Sequence, residues 1–164
     1  MIPALSRFVL FLWLGLAVIG PVRAAEVQTL TPTSFAAIRE RFSGRAFLVA
    51  FWSVNCEPCK AEITLIAGLH RSYPDVPVVL IAADQPSLRP AVVRFLGRQE
   101  LGRIETWQFG DAAEERLRYT VDPTWHGELP RAVFFDAKHA PTAHSGVPDA
   151  AWTKAWFAAA RNGK

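Results

Sequence analysis

A continuous apolar run at residues 46–52 leads almost directly into two cysteines that are three positions apart, Cys56 and Cys59. An apolar, aromatic-rich run of this length is typical of a strand buried on both faces. Apolar residues at helical spacing then predict a helix over 57–73, and a second apolar run predicts a strand over 76–82. Strand, helix and strand in this order form a right-handed parallel unit. Its cysteines would lie at the carboxyl end of the first strand, where open α/β sheets usually carry their reactive groups.

The rest of the chain supplies elements for the same sheet. Before the cysteine motif, a helix is predicted to begin at Thr31-Pro32. After residue 82 the pattern predicts a helix from Pro86 with Val93 among its buried residues, a strand over 104–109 and a helix with a capping box formed by Asp111 and Glu114. A loop over 121–129, strands over 131–135 and 142–145, and a final helix from Pro148 complete the chain. This order predicts one α/β domain with a central mixed sheet and helices on both faces.

Residues 1–24 have the features of a secretory signal peptide. Arg7 precedes an apolar run at 8–19, and small residues follow up to a cleavage point after Ala24. The alternative is an uncleaved membrane anchor, although a spanning helix needs about 20 apolar residues and this run is shorter. We therefore expect an exported domain at 25–164.

The charge of that domain is nearly balanced. The whole chain carries a net charge of +3, but the predicted signal peptide holds two arginines and no acids, which leaves 16 basic and 15 acidic residues. The domain lacks the clustered lysines and arginines of a nucleic-acid-binding protein, so we expect no nucleic acid among its partners.

The spacing of the two cysteines indicates chemistry rather than a structural disulfide, because closing so small a loop constrains the unfolded chain weakly. In disulfide exchange a thiolate attacks a disulfide and a second thiol resolves the mixed disulfide. At a helix start the dipole and the free N–H groups would stabilise a Cys56 thiolate, and Cys59, one turn later, would resolve. The alternatives are an inert buried pair and a zinc half-site. Zinc needs two further ligands, and the histidines show no paired spacing that would supply them.

Two segments of the sequence resemble one known family. Residues 51–62 are FWSVNCEPCKAE and residues 128–136 are ELPRAVFFD. They are similar to the active-site segment and to the cis-proline loop with its following strand in the thioredoxin-like TlpA/ResA family of periplasmic disulfide reductases. Together with the order of the elements, the likeness extends over residues 27–161.

This resemblance implies a thioredoxin fold, expanded at about 84–129, that reduces disulfides of exported proteins in the periplasm, with apocytochrome c as one candidate substrate. It implies a cis Pro130 that faces the cysteines, and a Leu129 backbone that pairs with an extended substrate segment. A membrane-embedded thiol carrier would supply electrons, and no bound cofactor or metal is needed. A chain anchored in the membrane and facing the periplasm is the alternative location. We expect a monomer.

Two positions depart from the family pattern. Asn55 stands where a tryptophan usually precedes the first cysteine, and Ala50 stands where thioredoxins keep a buried aspartate. Another group must therefore handle the proton of Cys59. Glu57 is the nearest candidate and Asp84 a second one. The alternatives are a solvated acid at a helix start for Glu57 and a structural carboxylate for Asp84.

Two tryptophans are candidate substrate contacts. Trp52 borders the cysteine motif, and Trp125 lies in the loop before Pro130. Packing in the core is the alternative for both side chains.

The direction of the reaction and two rival functions stay open at this point. An anionic Glu57 disfavours a Cys56 thiolate, which favours a reductant, because strong oxidants of this fold stabilise their reduced form. The first rival is an oxidase or isomerase with the same cysteines. The second is a metal-binding copper chaperone, whose relatives in this fold usually carry a wider CxxxC motif.

Overall fold

The computed structural model describes residues 26–99, 101 and 103–163. The predicted signal peptide, residues 1–24, lies outside them. The strands described are β1 (Val27–Leu30), β2 (Phe47–Trp52), β3 (Val78–Ala82), β4 (Glu105–Phe109), β5 (Arg131–Phe135) and β6 (Pro141–Ser145). The helices described are α1 (Ser34–Arg41), α2 (Glu57–Ser72), α3 (Arg89–Leu96), α4 (Glu114–Val121) and α5 (Ala150–Asn162), and a 3₁₀ turn, Pro86–Leu88, precedes α3. None of these helices is long and apolar enough to cross a lipid bilayer.

The strands form one mixed sheet in the order β1-β4-β3-β2-β5-β6. Strands β1 to β4 run parallel, whereas β5 and β6 pair antiparallel to their neighbours. The carboxyl ends of β1 to β4 and the amino end of β5 therefore meet at one edge of the sheet. Because β2 is central, the cysteines that follow it lie in the middle of that edge. The predicted α/β architecture is confirmed.

Helices cover both faces of the sheet, as the apolar run over β2 predicts. All residues of β2 are buried, and alternate side chains enter two separate cores. Ala50 and Trp52 contribute to the first core, which α2, α3 and α5 cover. Val49 and Phe51 contribute to the second core, which α1 and α4 cover. Each apolar position of the strand thus has a helix to pack against.

The starts of two helices differ from the sequence prediction. Helix α1 begins at Ser34 and not at Pro32, because Ser34 Oγ accepts a hydrogen bond of 3.0 Å from the Thr31 N–H, which keeps residues 31–33 in a turn. The capping box at Asp111 is also wrong. Helix α4 begins at Glu114 without a side-chain cap, and the Glu114 carboxylate instead accepts a hydrogen bond from Arg118 at 3.4 Å.

One further prediction needs correction, and one strand has no counterpart in the sequence prediction. Val93 is 39% exposed, and Phe95 occupies the buried side of α3 instead. Strand β1 was not expected at all. It pairs in parallel with β4, nearly eighty residues later in the chain, and its four residues show no pattern by themselves. This partnership depends on tertiary structure, which a local pattern does not contain.

Candidate active site

A buried carboxylate holds the loop between β2 and α2. Asp84 follows β3 and accepts hydrogen bonds from Ser53 Oγ at 2.7 Å and from the Val54 N–H at 3.1 Å. Ser53 Oγ in turn accepts the Asn55 N–H at 3.2 Å, and its carbonyl accepts the Cys56 N–H at 3.1 Å. These bonds occupy the Asp84 carboxylate, so the structure supports its structural interpretation. Their effect is to fix the backbone that presents the first cysteine.

The two cysteines stand at the amino end of α2 and form a disulfide. Cys56 is the N-cap residue, and its sulfur accepts the Cys59 N–H at 3.3 Å. Pro58 fits the first turn because a proline N–H would have no helical partner there. Cys56 is partly exposed, whereas Cys59 is completely buried in the first core. An attacking disulfide or thiol therefore has access to the Cys56 sulfur, and Cys59 is shielded from it.

Glu57 lies on the outside of the same turn. Its side chain is 84% exposed, and its carboxylate is 2.5 Å from Lys60 Nζ. The lysine neutralises part of the negative charge that Glu57 would place near Cys56, and solvent screens the remainder. The geometry directs Glu57 toward Lys60 and water, so it provides no link from this carboxylate to the buried Cys59 sulfur.

A different carboxyl occupies the interior beside Cys59. Glu62 is completely buried, and neither of its carboxylate oxygens has a hydrogen-bond partner among the described residues. Burial without a compensating charge raises the pKa of Glu62 to about 8. Residues three apart on a helix are neighbours, with Cβ atoms about 5–6 Å from each other. Glu62 is therefore a protonated acid at neutral pH, one turn from the resolving cysteine.

Sequence reasoning missed Glu62, although a signal was present. Cys59, Glu62, Ile63 and Ile66 follow the spacing of one helix face, and all four are buried. A glutamate inside an apolar stripe is unusual enough to mark a candidate site. Glu62 is also a candidate for the proton-handling group that is missing at Ala50, where thioredoxins keep an aspartate. Ala50 lies in the same core as Cys59. The buried carboxyl is on the helix that carries the cysteines, and not on the strand before them.

The second segment that resembles the family, residues 128–136, begins at the edge of the sheet that carries the cysteines. The Leu129–Pro130 peptide bond is cis, as expected. The β2–β5 register pairs Phe51 with Arg131, so Pro130 lies one residue beyond that pair, at the end of the sheet where the cysteine loop begins. Among the residues that the structure describes, neither peptide group of Leu129 makes a hydrogen bond. An N–H and a C=O are thus left for an external strand.

The two candidate tryptophans belong to the core. Trp52 has no exposed surface and packs against Phe95, with ring centroids 4.8 Å apart. Trp125 is 5% exposed, lies 4.2 Å from the ring centroid of Phe51, and donates its indole N–H to the Glu128 carbonyl at 2.7 Å. The burial of both indoles favours the packing alternative for these two side chains.

The described part of the chain contains no group of three or more histidine, cysteine, aspartate or glutamate side chains placed to hold a metal ion. In this structure the sulfurs of Cys56 and Cys59 are bonded to each other. Among the described residues, the cysteine pair therefore has no third side chain of these types placed to complete a metal site.

Comparison with solved structures decides the fold. A thioredoxin-family thiol:disulfide interchange protein from Chlorobium tepidum TLS superposes with a TM-score of 0.60, at 20% identity over 75% of this chain and 84% of that one. The chain has a thioredoxin fold. A secreted Mycobacterium tuberculosis disulfide oxidoreductase, homologous to E. coli DsbE, matches this thioredoxin fold with a TM-score of 0.57, at 20% identity over 73% of this chain and 85% of that one. StoA from Bacillus subtilis matches it with a TM-score of 0.50, at 18% identity over 70% and 83% of the two chains.

No family model matches the chain, and no curated protein matches its sequence. The solved neighbours are thiol:disulfide proteins, the class to which the sequence resemblance pointed. A thioredoxin fold with a disulfide of CxxC spacing at the start of α2 supports thiol-disulfide chemistry.

Proposed function

We propose that the chain is a thiol-disulfide oxidoreductase that reduces disulfides of exported proteins. One observation carries this proposal: an accessible sulfur, Cys56, is bonded at the tip of a helix to a sulfur, Cys59, that solvent does not reach. This asymmetry separates the two roles that exchange needs, since one sulfur must meet the substrate and the other must act only afterwards.

In the reducing direction the cycle begins with the dithiol form. The Cys56 thiolate attacks one sulfur of the substrate disulfide, and the other substrate sulfur leaves as a thiolate. The Cys59 thiol then loses its proton and attacks the Cys56 sulfur of the mixed disulfide, which releases the second substrate thiolate. The Cys56–Cys59 disulfide forms, and the substrate has gained two electrons and takes up two protons.

Glu62 supplies the missing proton acceptor in this cycle. With a pKa of about 8, Glu62 is protonated in most molecules at neutral pH and ionised in a minority of them, and it is this ionised minority that acts as the base. The carboxylate form accepts the Cys59 proton as that sulfur attacks Cys56. When the disulfide is later reduced, the acid form returns a proton to the Cys59 sulfur as it leaves.

The surroundings of the cysteines favour a reductant. An apolar interior favours a neutral thiol over a thiolate, and Cys59 is completely buried in the first core. A dithiol that its surroundings do not stabilise gives up electrons readily. We expect a reduction potential of about −270 mV, as in thioredoxin, whereas a value of about −120 mV would identify an oxidase instead.

The proposed setting is the periplasm. It follows the sequence resemblance and the signal-like residues 1–24, and a secreted protein is among the structural neighbours. Apocytochrome c is a candidate substrate, and a membrane-embedded thiol carrier is the proposed electron donor. Each turnover consumes the two electrons of the dithiol, so some donor of this chemical class is required.

The first test is capture of the substrate. Cys59→Ala removes the resolving thiol and should leave Cys56 joined to its substrate as a stable mixed disulfide, seen as a band that a reductant removes. A Cys56→Ala/Cys59→Ala variant is the matched control and should capture nothing. If the single variant captures no more exported protein than the double variant, the proposed function is wrong.

A further inference from the structure

The loop that leads to Pro130 is organised around one buried guanidinium. We call residues 122–129 the Trp125 loop. Arg131, the first residue of β5, donates to Asp122 Oδ2 from Nε at 3.0 Å and from Nη2 at 2.6 Å. Asp122 begins the loop, so the two N–H groups of the fork join its start to the strand that follows its end.

The remaining donors of Arg131 reach the middle and the end of the Trp125 loop. Nη2 donates to Thr124 Oγ1 at 3.2 Å, and Nη1 donates to Glu128 Oε1 at 3.2 Å. Nη1 also donates to Ser145 Oγ on β6, and the Ser145 hydroxyl donates to Glu128 Oε1 at 2.7 Å. A lysine could not reproduce this arrangement, because an ammonium lacks the rigid planar fork.

The environment makes these contacts strong. The side chains of Arg131 and Asp122 are only 10% and 7% exposed. Burial opposes ionisation of Asp122, but hydrogen bonds from Thr124 and Arg131 outweigh it and lower the pKa of its carboxyl. The Ser145 hydroxyl, with a smaller contribution from Arg131, lowers the pKa of Glu128. Both carboxylates are therefore charged at neutral pH, and one cation lies between them.

The position of the network gives it a function. Glu128 directly precedes Leu129, whose peptide groups are the ones left without partners beside the cysteine loop. We propose that Arg131 is a positioning residue for the substrate: it holds the Trp125 loop so that Leu129 presents its backbone to an extended disulfide-bearing segment. This inference rests on the proposed function and names the device that orients the substrate at the same site.

The test compares a substrate that has a backbone with one that has none. The reduced protein is mixed in single-turnover reactions, which need no further reductant, with a disulfide-bonded peptide that carries extended flanks and with 5,5′-dithiobis(2-nitrobenzoate), a small disulfide. The concentration for half-maximal rate and the limiting rate serve as KM and kcat. Arg131→Met removes every donor and keeps an unbranched side chain. Arg41→Met is the matched control, because it breaks the Arg41–Glu105 pair at the amino end of β4, which is the opposite edge of the sheet.

For Arg131→Met we expect the peptide KM to rise about tenfold, the equivalent of one lost hydrogen bond, while kcat stays within about twofold. The rate with the small disulfide and the reduction potential should match those of the wild type. Arg41→Met should leave the kinetics with both substrates unchanged. Equal slowing of both substrates by Arg131→Met, or an unchanged peptide KM, overturns the proposal.

A second variant protects the test against misfolding of Arg131→Met. Glu128 is 45% exposed, so Glu128→Gln should fold normally. It weakens the same link, and we expect a rise of about threefold in the peptide KM, with no further rise when it is combined with Arg131→Met. An unchanged KM in Glu128→Gln, or additive effects in the double variant, contradicts the inference. Failure of the proposed function itself would appear differently, because the wild type would then not reduce the disulfide-bonded peptide, although its thiols would still react with the small disulfide.

Discussion

At position 62 the chain places a carboxyl group among apolar side chains of the first core, one turn from Cys59. The folded protein holds the Glu62 proton up to a pKa of about 8, whereas the unfolded chain releases it near 4.5. Between these two values the folded state binds one proton more than the unfolded state. The free energy of unfolding must therefore fall as the pH rises through this window. A carboxyl group with so strongly shifted a pKa is typical of functional sites.

Glu62→Gln should remove this pH dependence. In the oxidised wild type, the Glu62 contribution lowers the free energy of unfolding by at most about 1.4 kcal/mol per pH unit between pH 4.5 and 8. The glutamine variant should lack this slope and be more stable than the wild type at pH 8. Denaturant unfolding at a series of pH values measures both quantities.

Glu57→Gln is the matched control for that series, because its side chain is 84% exposed and its pair with Lys60 lies at the surface. This variant should keep the wild-type slope. A wild-type slope retained in Glu62→Gln would mean that another group holds the proton. In the disulfide-exchange assay, Glu62→Gln should slow the release of the mixed disulfide and leave its formation unchanged.

The residues of the site differ in how far the sequence could predict them. The proposed roles of Cys56 and Cys59 follow from their spacing and from the predicted helix start, and the expectation of a cis Pro130 follows from a resemblance. Glu62 was not predicted, because Glu57 is the acid nearest to Cys59 along the chain. Distance along the chain was misleading here, because residues three apart on a helix, such as Cys59 and Glu62, share a face, whereas residues two apart, such as Glu57 and Cys59, do not.

At the scale of elements, β1 shows what local patterns leave out. Gly110, directly after β4, donates its N–H to the Leu30 carbonyl at 3.0 Å. A Cβ atom at this glycine would lie 2.8 Å from that same carbonyl oxygen and 2.9 Å from Thr29 Cγ2. The close approach of the two backbones holds β1 against β4, and it requires a residue without a side chain.

Gly110→Ala should therefore loosen β1. We expect a loss of about 1–3 kcal/mol in the free energy of unfolding, the usual cost of forcing a methyl group into packed structure. The loss of amide protection in hydrogen exchange should be concentrated in β1 and β4.

Gly68→Ala is the matched control for Gly110→Ala, because its new methyl group meets nothing closer than Arg71 at 3.8 Å. Gly68 lies inside α2, where alanine is favoured over glycine by about 1 kcal/mol, so this variant should be more stable than the wild type. Destabilisation by both substitutions, or by neither, would contradict the role assigned to Gly110.

The elements that the sequence predicted well are those with strong internal patterns. The apolar run of β2 and the striped face of α2 were assigned correctly because burial determines both patterns. The start of α4 was wrong because Glu114 has two possible partners, a backbone N–H and Arg118, and the sequence does not rank them. The four residues of β1 acquire their structure only from a partner far along the chain.

In the whole molecule, both cores depend on the same sheet. Phe157 of α5 is buried in the first core and Phe35 of α1 in the second, on opposite faces. Neither face is stable without the strands that also form the other one. The domain should therefore unfold as one cooperative unit.

Phe157→Ala and Phe35→Ala test this cooperativity. Each should lower the free energy of unfolding by about 3–5 kcal/mol, the range for phenylalanine deletions in packed cores. Transitions followed by far-UV circular dichroism and by tryptophan fluorescence should coincide in both variants, since tryptophans lie in both cores. Separate transitions in either variant would mean that one face folds without the other.

The burial of Cys59 leaves Cys56 as the partly exposed member of the pair, and the sequence contains two cysteines in all. In the proposed cycle, the substrate must leave Cys56 before the electron donor can approach the same atom. The substrate and the electron donor therefore bind in alternation and compete for the same site. This gives ping-pong kinetics, in which an excess of either partner slows the reaction of the other with Cys56. Whatever surface surrounds Cys56 has to accept both a protein to be reduced and the protein that reloads it.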